Sequence, residues 1–163
     1  MLKKVLSLIV LFAWANTCQA ADLRVVKYVA DGDTLVLENN EKVRLIGVDT
    51  PELGDKDRNA RNAGRNKISR RTVNEFAVKA KTFVENVIEG QQVRLEYDWQ
   101  RMDKYGRTLA YVYRVPDDFF LNAEIIKKGY GFAYTRFPFK HQEEFKRYEN
   151  EARANKKGLW QSL

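Results

Sequence analysis

The stretch that decides the fold is residues 23–48, LRVVKYVADGDTLVLENNEKVRLIGV. It contains three short runs of aliphatic and β-branched residues, separated by two groups of turn residues. Strands are predicted at 23–29, 34–37 and 43–48. The turns fall at Asp31-Gly32-Asp33 and Asn39-Asn40, because Asp, Asn and Gly favour turn conformations. The stretch is therefore predicted to form a meander of three strands.

A helix and two more strands are predicted after the meander. A capping box at Thr72–Glu75 precedes apolar residues at helical spacing, and Gly90 ends that pattern. The remaining elements are predicted as strands at 93–97 and 108–113 and helices at 121–128 and about 141–157. The segment Leu53–Arg71 is polar and basic, and we expect it to be a mobile loop.

Five short strands with a helix after the third are the pattern of a small Greek-key barrel of the OB type. The predicted fold class is therefore α+β, a five-stranded OB-fold β-barrel with about three helices. Barrels of this type bind nucleic acid on an open strand face. A different five-stranded barrel would give the same order of elements.

Composition excludes several kinds of site. The 163 residues include one His, His141, and one Cys, Cys18, so a zinc site built from Cys and His is excluded. A Ser-His-Asp or Cys-His nucleophile would need His141, which lies in a charged stretch that is predicted to be helical. A metal would have to be held by oxygen ligands, as calcium, magnesium and manganese are. The net charge of +7 favours a polyanionic partner, which could be nucleic acid, an anionic membrane or a cell-wall polymer.

The N-terminus has the features of a secretory signal peptide. Lys3 and Lys4 precede the apolar run Val5–Ala15, which is shorter than the roughly 20 residues that a membrane span needs. Cys18 and Ala20 supply the small residues of a cleavage site, which predicts cleavage after Ala20. We expect two parts, a signal peptide at 1–20 and one domain at 21–163. The mature protein would then be secreted or periplasmic, with no stable insertion in a membrane.

Polar residues stand at the ends of the predicted strands, and each group has a simple structural explanation. Arg44 could be an edge-strand side chain that reaches solvent, and the groups 31–34, 49–52 and 103–107 could be ordinary turns. Taken together, however, they place carboxylates and arginines at strand ends that a barrel brings side by side. Carboxylates, arginines and a metal bound by oxygen are the components that phosphoryl transfer requires.

Three of these stretches resemble the thermonucleases, the staphylococcal (micrococcal) nuclease family. They are DGDT at 31–34, RLIGVDTPE at 44–52, and DKYGR at 103–107, which leads into LAYVY at 109–113. They occur in the family's order, with the family's helix between the second and the third. The resemblance covers essentially all of residues 21–163, and RLIGVDTPE is its most specific part.

The resemblance implies a monomeric, calcium-dependent phosphodiesterase on an OB-fold barrel. Such enzymes cleave DNA and RNA and leave 3′-phosphate and 5′-hydroxyl ends. The implied metal ligands are the carboxylates of Asp33 and Asp49 and the main-chain carbonyl of Thr50, with Asp31 bound through water. Glu52 would orient or deprotonate the attacking water.

The remaining implied roles concern the substrate. Arg44 and Arg107 would bind the phosphate and stabilise the transition state. Lys104 and Tyr105 would contact a neighbouring phosphate, and Tyr134 would lie against the nucleotide.

The sequence departs from the best-known members in two places. Arg136 stands where a second tyrosine is expected, and the segment Leu53–Arg71 is unusually rich in arginine. We expect this basic segment to grip the substrate strand, because it follows Glu52 directly.

Two other functions compete with a nuclease. A non-catalytic OB-fold module would bind nucleic acid through stacking and charge. It has no evident need for Asp33, Asp49 and Glu52, which repel phosphate unless a metal is present. A basic protein that binds the cell envelope is supported only by charge and export.

Overall fold

The computed structural model describes residues 22–162, and the expected signal peptide at 1–20 lies outside them. Five strands form the barrel: β1 (Asp22–Asp31), β2 (Thr34–Leu37), β3 (Lys42–Leu45), β5 (Gln92–Glu96) and β6 (Thr108–Arg114). Their order is β3-β2-β1-β5-β6, and a parallel pairing of β3 with β6 closes the barrel. The prediction of a five-stranded OB-type barrel is confirmed.

A sixth strand of the main sheet, one two-stranded sheet and four α-helices complete the described part of the chain. Strand β7 (Phe119–Phe120) extends the sheet beyond β6, while β4 (Val48–Asp49) pairs with β8 (Phe132–Ala133). The helices are α1 (Lys56–Asn66), α2 (Arg70–Ile88), α3 (Leu121–Lys127) and α4 (Gln142–Ala154), followed by a 3-10 helix at Gly158–Ser162. None of the helices between residues 22 and 162 combines the length and apolar character that crossing a membrane requires.

The barrel interior is filled by aliphatic side chains that alternate with outward-facing ones along each strand. Helices α2 and α3 cover the barrel and contribute to the same core, which includes Val26, Leu35, Leu45, Val84, Val93, Val112, Leu121 and Ile125. The buried amide of Asn122 joins α3 to the barrel. It donates to the carbonyls of Ile46 (3.0 Å) and Ala110 (3.2 Å) and accepts from the amide of Val112 (2.9 Å). These bonds fix the end of β3 beside the middle of β6.

The segment Leu53–Arg71 is not the mobile loop that the sequence predicted. It contains helix α1, whose N-cap is Asp55 and whose C-cap is Lys67, a residue in the left-handed conformation. The carboxylate of Asp55 accepts from the amide of Arg58 at 2.8 Å. Few apolar residues mark this helix, since Ala63 is its only buried hydrophobic residue, and the periodic signal on which the prediction depended is therefore absent.

Two other boundaries differ from the prediction. Helix α2 begins one residue after Ser69, whose hydroxyl accepts from the amide of Thr72 (3.0 Å), so Ser69 is the cap rather than Thr72. Glu75 is paired with Arg71 instead of closing a capping box. The third strand is interrupted at Gly47, which has a positive φ of 73° and no room for a Cβ beside the Phe139 ring.

Candidate active site

Asp33 is the most deeply buried carboxylate of the site, with none of its surface exposed. It follows the β1–β2 turn, and its Oδ2 accepts from the amide (3.0 Å) and the hydroxyl (3.2 Å) of Thr50. A Cβ on Gly32 would lie 2.8 Å from the Thr50 hydroxyl, so glycine is required for this close approach. The turn at 31–34 therefore fixes a carboxylate against the end of β4.

Arg44 points into the site and not into solvent, since its side chain is only 11% exposed. Thr34 and Arg44 are register partners on β2 and β3, which places Arg44 beside Asp33. Its Nη2 lies 3.1 Å from Asp33 Oδ2 and 3.8 Å from Asp49 Oδ1. Its Nη1 donates to the carbonyl of Leu45 at 3.2 Å. The interpretation of Arg44 as a solvent-exposed edge residue is wrong.

Helix α1 supplies Arg58, an arginine that the sequence pattern did not assign to the site. The Arg58 guanidinium forms ion pairs with Asp49 and Glu52, and its Nη2 lies 4.0 Å from Asp33 Oδ2. Burial disfavours the charge on Arg58, but the carboxylates of Asp49 and Asp33 outweigh burial and raise the pKa of the guanidinium. One guanidinium thus contacts two carboxylates and lies near a third.

The backbone of Glu52 is clamped by Asn59 of α1. The amide of Glu52 donates to Asn59 Oδ1 (3.1 Å), and Asn59 Nδ2 donates to the carbonyl of Glu52 (2.8 Å) and to Asn74 Oδ1 (3.0 Å). One turn later, Asn62 Nδ2 donates to Asp49 Oδ2 at 3.3 Å. Both amides are buried, so α1 holds Glu52 and Asp49 in fixed positions.

Arg107 reaches the site from the turn between β5 and β6. Asp103 Oδ1 accepts from the amides of Tyr105 (2.9 Å) and Arg107 (3.0 Å), and its Oδ2 accepts from Arg107 Nε (2.7 Å). Burial favours protonation of Asp103, but these hydrogen bonds outweigh it and lower the pKa of the carboxyl. Arg107 Nη1 lies 3.5 Å from the hydroxyl of Thr34, the residue after Asp33. Asp103 therefore orients Arg107 toward the carboxylate cluster.

The other predicted substrate residues lie around this cluster. Tyr105 is 72% exposed, with Lys104 Nζ 4.9 Å from its ring centre. Tyr134 follows β8, and its amide donates to the carbonyl of Gly47 at 2.9 Å. Asp31 ends β1 as the register partner of Thr34, at the same turn as Asp33.

An open groove of about 490 Å³ runs from Asp49 along one face of α1. Tyr134 lines it together with three arginines from different elements, which are Arg65, Arg136 and Arg153. Glu149 lines the same groove and pairs with Arg153 at 2.9 Å, so Arg65 and Arg136 supply the positive charge that suits a chain of phosphates.

The donor set around Asp33 and Asp49 is chemically suited to a hard cation. Both carboxylates are almost fully buried and approach the same Arg44 nitrogen, so their oxygens face a common point. Among residues 22–162, no group of three or more His, Cys, Asp or Glu side chains is arranged as a metal cage. A cation would therefore share two carboxylates with backbone or water oxygens. It would compete with Arg44 for Asp33 and with both Arg44 and Arg58 for Asp49.

The sequence does contain a signal for the contribution of α1. Asp55, Asn59, Asn62 and Asn66 follow one another at intervals of three or four residues, as polar residues on one face of a helix do. A polar stripe after an Asp cap indicates a helix that faces a polar site. Arg58 belongs to the same turn as Asn59.

The fold is a small OB-type barrel, and its strand ends carry buried carboxylates and oriented arginines. This combination is that of an OB-fold phosphodiesterase. Comparison with known proteins agrees: residues 42–162 match the family model described as staphylococcal nuclease homologue. The chain belongs to the staphylococcal nuclease family.

The similarity to individual relatives extends over most of this chain and over most of each relative. A thermonuclease of Staphylococcus hyicus is 35% identical over 137 residues, which is 81% of this chain and 72% of the relative. A thermonuclease of Staphylococcus intermedius is 34% identical over 155 residues, or 92% of this chain and 83% of the relative. An uncharacterized protein of Methanocaldococcus jannaschii is 35% identical over 147 residues, or 84% and 70%. The predicted family is confirmed.

Proposed function

We propose that this protein is an exported, calcium-dependent nuclease that hydrolyses phosphodiester bonds of DNA and RNA as a monomer. It would leave 3′-phosphate and 5′-hydroxyl ends. The observation that carries the proposal is the assembly of Asp33, Asp49, Glu52 and Arg44 into one cluster, with Arg107 aimed at it. Membership of a nuclease family supports the reaction class.

The proposed metal site uses Asp33, Asp49 and the carbonyl of Thr50, with Asp31 bound through water. A bound calcium would polarise the phosphate and lower the pKa of a coordinated water. Calcium suits this donor set because it tolerates irregular shells of oxygen, whereas magnesium demands near-octahedral geometry.

Glu52 is the proposed general base. The Asn59 clamp on its backbone limits how far the carboxylate can move, while the side chain remains 24% exposed and can meet a water. The base would accept the proton of the attacking water as that water bonds to phosphorus and the bond between phosphorus and the 5′-oxygen breaks. The 5′-oxygen would take a proton from solvent and leave as the hydroxyl.

The arginines are proposed to bind the phosphate. Asp103 holds Arg107 through its Nε, so the Nη nitrogens of Arg107 can meet phosphate oxygens. Both Nη nitrogens of Arg44 contact protein oxygens, so Arg44 would exchange one of these contacts for the phosphate. They would stabilise the charge that builds on those oxygens in the transition state. Lys104, Tyr105 and Tyr134 would contact the flanking nucleotides.

The competing function is a non-catalytic module that binds nucleic acid. The fold alone is compatible with it, because OB barrels bind single strands without cleaving them. Three carboxylates at the centre of the basic surface argue against it, since without a metal they repel phosphate.

Incubation of the mature protein with plasmid DNA and with RNA tests the proposal. We expect cleavage in calcium, none in excess chelator, and loss of cleavage in Asp49→Ala. Asp117→Ala, an exposed carboxylate beyond β6, is the matched control and should cleave normally. Mass spectrometry of a digested oligonucleotide identifies the ends. Undiminished cleavage in chelator would contradict the metal, and binding without cleavage in calcium would favour the module.

A further inference from the structure

Two large aromatic side chains near the site are exposed to solvent. Trp99, before β6, is 70% exposed, and Phe137, after β8, is 58% exposed. Aromatic side chains of this size are normally at least half buried, and exposed ones close together indicate a binding surface. The other tryptophan among residues 22–162, Trp160, has no exposed surface.

The segments that carry these rings are held together by hydrogen bonds. Trp99 Nε1 lies 3.4 Å from the carbonyl of Pro138, the residue after Phe137. Asp98 accepts from the amides of Trp99 and Lys140 (both 2.8 Å) and from the hydroxyl of Tyr111 (2.6 Å). Tyr111 belongs to β6 and is fully buried, so both segments are anchored to the barrel. The rings are exposed on a supported surface.

This surface is continuous with the candidate active site. The rings of Phe137 and Tyr134 have their centres 6.2 Å apart, and Tyr134 shares its groove with Asp49. The order from the carboxylates outward is therefore Tyr134, Phe137 and then Trp99.

The charges around the two rings are basic. The Arg136 guanidinium lies 5.7 Å from the centre of the Phe137 ring, and Lys140 belongs to the same segment. The guanidinium of Arg101, two residues after Trp99, lies 4.3 Å from the centre of the Tyr97 ring. The nearby acidic group, Asp98, is already bound by three donors. Rings interleaved with cations are the composition of surfaces that bind single-stranded nucleic acid, where bases stack and phosphates meet the cations.

We propose that Trp99 and Phe137 form a stacking surface for unpaired bases of a single-stranded substrate that extends from the scissile phosphate. The proposal rests on the proposed nuclease function, because that function places the phosphate at the carboxylates. The bases of a duplex are stacked on one another and cannot meet these rings, so the surface favours single strands of DNA or RNA. It acts on substrate binding and not on the chemical step.

The test compares Trp99→Ala and Phe137→Ala with Tyr28→Ala, a control that removes an exposed aromatic from β1. Equilibrium binding of a short fluorescent single-stranded DNA is measured in chelator, which prevents cleavage. We expect each of the two variants to bind about tenfold more weakly, on the scale of removing one base stack, while the control and the binding of a matched duplex stay within about twofold. Trp99→Phe should retain most of the affinity.

Two further measurements keep the proposal separate from the function on which it rests. Single-stranded DNA should quench the tryptophan fluorescence of the mature protein but not that of Trp99→Ala. Hydrolysis of a dinucleotide in calcium, which is too short to reach Trp99, should be equal in the unmodified protein, Trp99→Ala and Tyr28→Ala. Single-strand binding that is unchanged in both alanine variants overturns the stacking surface. Absence of hydrolysis in the unmodified protein overturns the nuclease function alone, and the binding result still decides on the surface.

Discussion

At the scale of single residues, Arg58 links metal binding to the charge balance of the site. Its guanidinium contacts Asp49 and Glu52 and approaches Asp33, so it occupies oxygens that the proposed calcium would use. The calcium ion and the Arg58 guanidinium repel each other and compete for the same carboxylate oxygens. Calcium would therefore have to displace Arg58. The affinity for metal therefore depends on the strength of the ion pairs that the arginine gives up.

We expect Arg58→Gln to bind calcium about tenfold more tightly, which corresponds to about 1.4 kcal/mol. Titration calorimetry without nucleic acid measures this directly. Arg61→Gln is the matched control, because Arg61 is an exposed arginine on the same helix. Removing Arg58 also takes an ion-pair partner from Asp49 and Glu52, so thermal unfolding in chelator should occur at a lower temperature. Equal or weaker calcium affinity in Arg58→Gln would contradict the competition.

Glu52 is the residue on which the proposed acid-base step depends. Glu52→Gln keeps the size of the side chain and removes the base, and we expect turnover to fall about a hundredfold or more. Calcium affinity, measured as above, should change little. Asn59→Ala releases the backbone clamp and should lower turnover while the base remains present. Normal turnover in Glu52→Gln would contradict the proposal that Glu52 is the general base and would mean that another group activates the water.

At the scale of elements, α1 has two faces with different tasks. Its Asn59 and Asn62 side chains hold the Glu52 backbone and the Asp49 carboxylate, while Arg61 and Arg65 are exposed. The expectation that this basic segment grips the substrate strand stays a prediction. A helix makes it sharper, because the two exposed arginines lie about one turn apart and could follow successive phosphates.

We expect the double variant Arg61→Gln/Arg65→Gln to bind single-stranded DNA with a shallower dependence on salt. The slope of log affinity against log salt should decrease by about 0.7 for each phosphate that the variant no longer binds. Lys79→Gln/Lys156→Gln removes the same charge from exposed positions outside α1 and should leave the slope unchanged. If both double variants shift the slope equally, net charge and not α1 determines binding.

At the scale of the whole molecule, Asp98 connects the barrel to the loops that carry Trp99 and Phe137. Burial favours protonation of Asp98, but hydrogen bonds from the Tyr111 hydroxyl and two backbone amides outweigh it and lower the pKa of the carboxyl. A carboxyl with a lowered pKa in the folded state stabilises the protein above its unfolded pKa of about 3.9. This contribution is lost as the pH falls from there through the lower folded pKa.

Thermal unfolding measured between neutral pH and pH 3 should show this loss. We expect Asp98→Asn to unfold at a lower temperature at neutral pH and to lose less stability on acidification than the unmodified protein, so that the two curves converge. Asp118→Asn, which alters an exposed carboxylate, should run parallel to the unmodified protein. If the unfolding temperature of Asp98→Asn ran parallel to that of the unmodified protein across this pH range, ionised Asp98 would not be the source of the stabilisation.

The amino-acid sequence was enough to predict the strands of the barrel, the family, and the carboxylates and arginines of the site apart from Arg58. Strands such as β2 and β6 could be predicted because alternation and turn residues are local properties of the chain. The capping residue of α2 and the break at Gly47 were misplaced. Several neighbouring residues could have formed the cap of α2 or ended the third strand. Packing against the Phe139 ring determines that the strand is interrupted at Gly47.

Only the tertiary structure decided which of those residues meet. Asp33 and Arg107 are distant in sequence, and the parallel pairing of β3 with β6 brings their strand ends together. Helix α1 has almost no apolar face, so no local pattern of apolar residues marks it, and it is held by polar contacts from Asn59, Asn62 and Arg58 to the site. Such contacts form only between segments that the closed barrel has already placed side by side. For this reason the residue types of the site could be predicted from the sequence, whereas the ion pairs that Arg58 forms inside it could not.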